Sequence, residues 1–434
     1  MTENICGWIA QTPPSVAQPS LHGAQKADWL IIGGGFTGLS AAHTLAHMHP
    51  QARIVIVDRQ RAAQGASARN SGFVVAHENP SGADLLGRSG NAYYQASTEI
   101  SRAASEEVRQ RISRLGIDCD WREQGYFFAV HDPAKLEDAE LRVQTLRNSG
   151  ADAQLLLGKA LSQNLGTDFY QAGIWCRGGN ALLQPAKYAK GLRDALPESV
   201  TLYESTEISG LARQANGNLR ATSALGSVEA PQVLVCVGPF LPRVGVRERA
   251  VFPLELSASL THPLSDDEFA QMGSPQPWGV LSTRPAGATV RLTPDRRLLI
   301  RNTVELRRRD LDGAALGVRR NTHLRGLQRR FPWLTEQHLQ HSWTGHLSAT
   351  RSGEPRFARL ERGLYTVAGC NGSGVARGTL WGRLLAEMAS GSQSSLLEKV
   401  LSQAQPGWLP PAPFFAVGAS VRLRYEACRA QSES

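Results

Sequence analysis

Lysine is scarce in this chain. Only six of its 47 basic residues are lysines, and none of them lies between residues 191 and 398. Arginines therefore carry the formal net charge of +9, and they are scattered except at residues 307–309 and 319–320. Neither cluster has interleaved aromatic residues on which bases could stack, so we expect no nucleic acid partner.

Closely spaced cysteines and long apolar runs are also absent. The six cysteines never approach CxxC spacing, which predicts reduced thiols and no metal site. No run of about 18 apolar residues occurs, so no membrane-spanning helix is predicted. Residues 1–26 lack the basic start and apolar core of a signal peptide, so we expect a cytoplasmic protein.

The N-terminal part of the chain has the pattern of a βαβ unit. Apolar runs at residues 29–32 and 54–57 enclose a helical apolar spacing over residues 36–47. Fully apolar strands are typical of a parallel sheet that is covered on both faces. Two later strands fit the same sheet: residues 233–237, and residues 364–368, which lead through a glycine turn into a helix over residues 375–388.

The middle of the chain predicts a sheet of another type. Apolar and polar residues alternate over residues 288–303 on both sides of a turn at residues 294–297, which indicates an antiparallel hairpin. We therefore expect an α/β fold in which a Rossmann-like domain is interrupted by an antiparallel-sheet (α+β) substrate domain. The predicted division assigns residues 1–90, 165–245 and 341–404 to the first domain, 91–164 and 246–340 to the second, and 405–434 to a C-terminal tail on the surface.

A glycine loop follows the first predicted strand. Gly33, Gly35 and Gly38 form GxGxxG, which allows a tight turn, close approach of the backbone to a diphosphate, and close packing of helix on strand. The N-terminus of the following helix is a site for the diphosphate. Asp58, twenty residues after Gly38, stands where a carboxylate accepts hydrogen bonds from ribose hydroxyls. The chain is therefore predicted to bind a dinucleotide.

A second loop of small residues, 65–72, favours FAD over NAD, because a flavin ring needs backbone donors and small side chains around its edge. With this loop the sequence resembles the FAD-dependent oxidoreductases of the D-amino-acid oxidase superfamily, in the branch of gamma-glutamylputrescine oxidoreductase, sarcosine oxidase and glycine oxidase. The resemblance extends from about Trp8 to Gly418 and implies a D-amino-acid oxidase-like fold. It also implies contacts of FAD with Gly33, Gly34, Gly35, Phe36, Thr37, Gly38, Asp58, Arg59, Gly65, Ala66, Ser67, Arg69, Asn70, Ser71, Gly72, Ile208, Val237, Gly238, Gly372, Ser373, Gly374, Val375 and Ala376.

Within that list, the resemblance implies distinct places along the cofactor. Ile208, in an expected strand over residues 203–211, would meet the adenine, and Val237 and Gly238 would lie beside the diphosphate. Ser373, Val375 and Ala376 would lie at the pyrimidine side of the flavin, where a helix N-terminus stabilises the negative charge of the reduced ring. An ordinary turn opening a core helix remains the alternative for this last segment.

The resemblance implies oxidation of the carbon–nitrogen bond of a primary or secondary amine or amino acid. Hydride passes to flavin N5, and water then hydrolyses the imine. Covalent-flavin relatives attach the ring through a cysteine in the segment matching residues 348–355, and this chain has none there, nor a histidine at residues 65–72. The resemblance therefore implies non-covalent FAD and a small-molecule substrate.

Three residues are candidates for the substrate side. Arg301 and Arg351 stand where family members commonly have a glycine and an acid, and either can grip a substrate carboxylate through paired hydrogen bonds. Each can equally be a surface arginine in an ion pair. His346 is the third candidate, and a structural histidine is its alternative.

The electron acceptor stays open. Sarcosine oxidase uses a lysine over the flavin to activate oxygen, and this chain has no lysine in the matching region. Oxygen or an unidentified acceptor is therefore expected, and a same-fold amine dehydrogenase is the main alternative. A flavin-dependent RNA-modifying protein and a non-enzymatic FAD-binding module are weaker alternatives.

Overall fold

A computed structural model describes residues 3–85, 92–307 and 311–433 of the chain. Arg308 and Arg309, in one of the two arginine clusters, lie outside these residues. The strands are, in chain order, β1 (Gly23–Lys26), β2 (Trp29–Ile32), β3 (Ile54–Val57), β4 (Phe73–Val74), β5 (Tyr126–Val130), β6 (Ala153–Leu157), β7 (Ala172–Cys176), β8 (Ala181–Leu182), β9 (Val200–Tyr203), β10 (Gly210–Arg213), β11 (Leu219–Thr222), β12 (Gly226–Ala230), β13 (Gln232–Val235), β14 (Val251–Thr261), β15 (Trp278–Ser282), β16 (Thr289–Leu292), β17 (Leu298–Glu305), β18 (Leu339–Thr350), β19 (Arg356–Glu361) and β20 (Leu364–Ala368).

The α-helices surround these strands. They are α1 (Gly7–Ala10), α2 (Phe36–Met48), α3 (Ala66–Arg69), α4 (Gly82–Leu85), α5 (Ala92–Leu115), α6 (Leu136–Asn148), α7 (Gly158–Leu165), α8 (Pro185–Asp194), α9 (Asp266–Gln271), α10 (Gly313–Gln328), α11 (Gly374–Ala389), α12 (Ser395–Leu401) and α13 (Phe414–Arg429). Short 3-10 helices occupy Pro133–Lys135, Gly238–Val244 and Glu336–His338.

The first sheet has six strands in the order β19-β20-β13-β2-β3-β9. The pairs from β20 to β9 are parallel, and only the edge strand β19 is antiparallel. Every residue of β2 and β3 is buried, as their apolar sequences predict. Helices α2 and α11 pack closely over the sheet because Gly382 allows contact: a Cβ there would overlap the carbonyl oxygen of Thr37. The predicted βαβ unit is confirmed.

The second sheet has eight strands in the order β18-β14-β17-β16-β15-β5-β7-β6. All its pairs are antiparallel except β15 with β5. The predicted hairpin is confirmed as β16 and β17, which pair from Leu292 opposite Leu298 onwards. The predicted α/β fold, in which a parallel sheet is interrupted by a largely antiparallel one, is therefore confirmed.

The structure differs from the predicted local elements at four places. Strands β7 and β18 belong to the eight-stranded sheet, although the predicted domain boundaries group residues 165–176 and 341–350 with the first domain. Residues 203–211 are not one strand, because β9 ends at Tyr203 and β10 begins at Gly210. The loop at residues 65–72 contains the single helical turn α3. The tail, which was predicted only to lie on the surface, contains the helix α13.

Within the described ranges, no helix is long and apolar enough to cross a membrane. The same residues contain no cluster of three or more metal-ligating side chains, and all six cysteines are free thiols. Four smaller strands, β1 and β10 to β12, form a separate sheet, and β4 pairs with β8.

Candidate active site

A cavity of about 420 Å³ opens beyond the C-terminal ends of β2, β3 and β13. The residues that directly follow these strands line it: Gly33 after β2, Asp58 after β3, and Cys236 with Val237 after β13. Loops at the carboxyl ends of parallel strands are where doubly wound sheets bind ligands. We call this space the first cavity.

Glycine is required at two positions of the first loop. Gly33 has φ +107°, and a Cβ there would come within 2.5 Å of the Cys236 carbonyl oxygen. A Cβ on Gly38 would overlap the carbonyl oxygen of Gly33. Any side chain would therefore push α2 away from β2, so the loop can approach a diphosphate only with glycine at both places.

Two side chains hold this loop in place. Asp58 accepts hydrogen bonds from the Gly34 amide at 2.7 Å and the Gln60 amide at 2.8 Å, and burial raises its pKa. Ser67 accepts from the Phe36 amide at 2.9 Å. The Phe36 amide, expected to be free for the diphosphate, is thus already engaged by the second loop. Because the two loops are bonded to each other, they form one binding surface.

Most of the predicted cofactor residues line the first cavity. They are Gly33, Gly34, Gly35, Phe36, Thr37, Asp58, Arg59, Gly65, Ala66, Ser67, Arg69, Asn70, Ile208, Val237, Gly238, Gly372 and Gly374. Ser71, Gly72, Ser373 and Val375 line a second, adjoining cavity instead. Gly38 and Ala376 line neither: Gly38 packs the helix on the strand, and Ala376 is buried in the core.

The second cavity, of about 720 Å³, lies on one face of the eight-stranded sheet. A row of side chains, one from each of six neighbouring strands, forms its floor: Trp343 (β18), Ala258 (β14), Arg301 (β17), Thr289 (β16), Leu281 (β15) and Phe128 (β5). Only Arg301 in this row is charged. The two cavities share a wall that includes Ala66, Gly345, Gly372 and Gly374.

Arg301 carries an uncompensated positive charge in the second cavity. Its guanidinium donates to Thr289 Oγ1 at 2.5 Å and forms no ion pair with the described residues. Burial lowers its pKa to about 10, which still leaves it protonated at neutral pH. A cation that is partly removed from water without a counter-ion favours an anionic ligand.

Glu78 is one of two acidic residues that line this cavity, with Glu426, and it was not predicted from the sequence. Its Oε1 contacts Arg377 at 2.8 Å, Ser373 Oγ at 3.2 Å and Ser101 Oγ at 3.4 Å. Its Oε2 has no hydrogen-bond partner among the described residues, and the side chain is 32% exposed to the cavity. One oxygen is thus held in place while the other is open to a ligand. No local motif marks Glu78, because its partners come from α5 and α11.

The other two predicted substrate residues have different outcomes. His346 lies on β18 in the wall shared by both cavities, edge-on to Phe240 with ring centroids 5.3 Å apart. Arg351 is exposed and lines neither cavity, so the structure adds no support to its predicted contact with a substrate. The chain turns away from the sheet just after β18 ends at Thr350, which carries Arg351 to the surface.

The shape and the donors of the joined cavities fit a dinucleotide whose ring end reaches the shared wall. The glycine loop offers backbone amides at one end of the joined cavities. The first turn of α11, which begins at Gly374, lies at the shared wall. The loop at residues 65–72 is fixed to the eight-stranded sheet, because Arg69 donates to the Thr344 carbonyl at 3.2 Å. A flavin ring held at the shared wall would face, on the side of the second cavity, the row of side chains that includes Arg301.

Comparison with known proteins identifies this architecture. Residues 28–388 match the family model described as FAD dependent oxidoreductase, DAO. Gamma-glutamylputrescine oxidoreductase of Escherichia coli (strain K12) is 28% identical over 90% of this chain and 90% of its own length. Among solved structures, glycine oxidase from Geobacillus kaustophilus superposes with a TM-score of 0.71 at 20% identity, covering 86% of this chain and 96% of that one.

A dehydrogenase has the same fold. L-proline dehydrogenase from P. horikoshii superposes with a TM-score of 0.70 at 16% identity, covering 86% of this chain and 96% of that one. An oxidase and a dehydrogenase therefore match about equally well, so the fold does not distinguish the electron acceptor.

Proposed function

The chain belongs to the family of FAD-dependent oxidoreductases and is an FAD-binding enzyme, and on that premise we propose that it oxidises the carbon–nitrogen bond of an amine that also carries a carboxylate. Several charged side chains line the second cavity, and two of them, Arg301 and Glu78, are the observation on which this proposal rests. An amino acid or an N-substituted amino acid has both complementary groups.

The proposed FAD site consists of the residues that line the first cavity and the shared wall. Bound FAD supplies a hydride acceptor for the carbon next to the substrate nitrogen. The N-terminus of α11 stabilises negative charge at the shared wall, since its first amides have no partners within the helix. Ser373 and Val375, on the side of the second cavity, remain candidates for this end of the ring.

The protein's own residues would bind and orient the substrate. Arg301 holds the carboxylate, and Oε2 of Glu78 accepts a hydrogen bond from the amino group. Leu281 and Phe128, next in the row, provide an apolar floor that limits water around the reacting carbon. Fixing both ends of the substrate positions the carbon–nitrogen bond against the shared wall. The imine leaves this cavity and is hydrolysed by water.

We propose non-covalent attachment of FAD. Cys236 and Cys370 are the cysteines that line the first cavity. Burial raises the pKa of Cys236 to about 12, and it also raises the pKa of Cys370. Both thiols are therefore protonated at neutral pH and are poor nucleophiles for the flavin ring.

A dehydrogenase that uses an acceptor other than oxygen is the second candidate. The observation that favours it is the absence of lysine among the described residues lining the second cavity, whereas the resemblance to sarcosine oxidase would imply a lysine over the flavin. The cytoplasmic location and the division into two domains stay proposals from the sequence.

Anaerobic titration with a panel of amines and amino acids tests the proposed function. We expect a zwitterionic amine to bleach the flavin absorbance, and its amide or decarboxylated analogue to do so much more slowly. Comparing oxygen consumption with dye reduction then separates oxidase from dehydrogenase. Bleaching by simple alkylamines as fast as by amino acids would contradict the assigned roles of Arg301 and Glu78.

A further inference from the structure

The C-terminal helix α13 lies outside the residues that match the family model, which end at 388. Both of its ends are anchored to the protein. Phe415 packs edge-on against Phe252 with ring centroids 4.8 Å apart, and Arg329 donates to the carbonyls of Gln431 and Ser432 just beyond the helix, at 2.9 and 2.8 Å. One face of α13 is therefore fixed against the protein, and the opposite face is left to solvent.

The outer face of α13 is apolar. Phe414, Val417, Val421 and Tyr425 are 74%, 62%, 61% and 51% exposed. With a helical turn every 3.6 residues, these four side chains fall within a sector of about 80°. Trp408, in the segment leading to the helix, is 57% exposed as well. Large apolar side chains that form one stripe in water mark an interaction surface.

Arginines flank this apolar stripe on both sides. By the same helical spacing, Arg424 lies along one edge, and Arg422 and Arg429 lie along the other. The guanidinium groups of Arg422 and Arg429 lie 5.7 and 5.5 Å from the centre of the Tyr425 ring.

The acidic side chains of this segment are withdrawn from the surface. Glu426 and Glu433, the acids among residues 405–433, are 7% and 2% exposed. Every charged side chain that the described part of this segment presents to solvent is therefore positive. An apolar stripe bordered by cations is the composition of a helix that lies in the plane of a membrane interface.

We propose that the outer face of α13 docks on the surface of an anionic lipid bilayer. The apolar stripe enters the boundary between headgroups and acyl chains, and the arginines reach the lipid phosphates beside it. A second copy of the chain fits this face less well, because a two-fold contact would bring the same arginines together. Arg422 and Arg429 also line the second cavity, so docking places the edge of that cavity at the bilayer.

Vesicle flotation of the full-length holoenzyme tests this proposal. Vesicles of phosphatidylcholine alone are compared with vesicles that also contain phosphatidylglycerol. We expect flotation only with phosphatidylglycerol and at low salt, because screening weakens the attraction of the arginines. The variant Phe414→Ser/Val417→Ser/Val421→Ser should lose about tenfold in vesicle partitioning. Arg424→Gln, which leaves the stripe intact, should weaken binding to the anionic vesicles alone.

The matched control is Leu225→Ser/Val318→Ser, which removes two apolar side chains that are 60% and 57% exposed elsewhere on the surface. This control should float like the wild type. Flavin absorbance and melting temperature check that each variant is folded. Failure of the wild type to float with phosphatidylglycerol, or equal flotation of the triple variant, would overturn the proposal. A concentration-dependent dimer that the triple variant abolishes, without lipid binding, would assign the face to a second copy instead.

Discussion

Arg301 on β17 lies directly opposite Thr289 on β16, and its guanidinium donates to the threonine hydroxyl at 2.5 Å. This hydrogen bond holds the guanidinium over the floor of the second cavity. Because the threonine hydroxyl is neutral, the positive charge of Arg301 is not compensated. The threonine orients the guanidinium, and the remaining donors stay available to a ligand.

Arg301→Met should lower kcat/KM for a carboxylate-bearing amine by about 100-fold, because charge-assisted hydrogen bonds contribute about 1.5 to 3 kcal/mol. For the amide analogue of the same substrate kcat/KM should fall much less, because the amide has no negative charge with which Arg301 could pair. Arg351→Met is the matched control, as Arg351 is exposed outside both cavities. Steady-state kinetics of both variants with the acid and the amide measure this, and equal losses in the two variants would refute the role of Arg301.

Glu78→Gln should weaken the binding of the amino group by about tenfold or more, because it removes the charge facing the ligand. The glutamine oxygen can still accept from Arg377, Ser373 and Ser101, but the buried Arg377 loses its counter-ion, so the melting temperature should fall as well. The measurement is the dissociation constant of an amino acid compared with that of its deaminated carboxylic acid. We expect a loss for the first ligand and none for the second.

The control for this second variant is Glu99→Gln, an exposed carboxylate on α5 that pairs with Lys399. It should behave like the wild type with both ligands. Equal losses for the amino acid and the deaminated acid would show that Glu78 acts only through the structure of the cavity.

Gly38→Ala should reduce FAD content and stability together. Its new Cβ would overlap the Gly33 carbonyl, and overpacking of this kind costs about 1 to 3 kcal/mol. Gly210→Ala is the control, since a Cβ there meets nothing within 4 Å. Flavin-to-protein absorbance ratios and thermal unfolding check both. A Gly38→Ala protein with full flavin content would argue against the close packing of loop and helix.

FAD should leave the protein on acid precipitation. The thiols of Cys236 and Cys370 line the cavity and have raised pKa values, so they are protonated and no covalent bond to the flavin is expected. A colourless pellet and a yellow supernatant would agree with this prediction, and Cys370→Ala should retain the same flavin content. A pellet that stays yellow in the wild type and not in Cys370→Ala would contradict it.

His323 should make the protein less stable as pH falls. It is buried between Ser257 and Ser259, and burial with the charges of Arg319, Arg301 and Arg320 lowers its pKa to about 3. Between about pH 6.5 and the folded pKa, only the unfolded chain binds this proton, so the unfolding free energy drops by up to about 1.4 kcal/mol per pH unit.

Urea unfolding at several pH values measures this effect of His323. His323→Asn should reduce the slope of the unfolding free energy against pH by the contribution of about one proton. His47→Asn, at an exposed histidine, should leave it unchanged. A wild-type slope that His323→Asn does not alter would contradict the prediction.

Local sequence was sufficient for the elements whose residues are neighbours in the chain. The apolar runs of β2 and β3 and the spacing of Gly33, Gly35 and Gly38 predicted the βαβ unit, because burial on both faces and backbone approach impose these residue types directly. The helix α13 was missed because the prolines before it dominate the pattern. The exposed position of Arg351 follows from a change of chain direction one residue beyond the end of β18, which no local pattern records.

The amino-acid sequence by itself determined the cofactor loop, the two types of sheet and the family. Only the tertiary structure decided which charged groups line the second cavity. Thr289 and Arg301 are partners in the local hairpin of β16 and β17, whereas Glu78 lies far from both in the chain and reaches the same cavity through its contacts with α5 and α11. The positions of isolated charged residues depend on these long-range contacts, whereas the glycine turns and buried strands are imposed by the conformation of their own backbone.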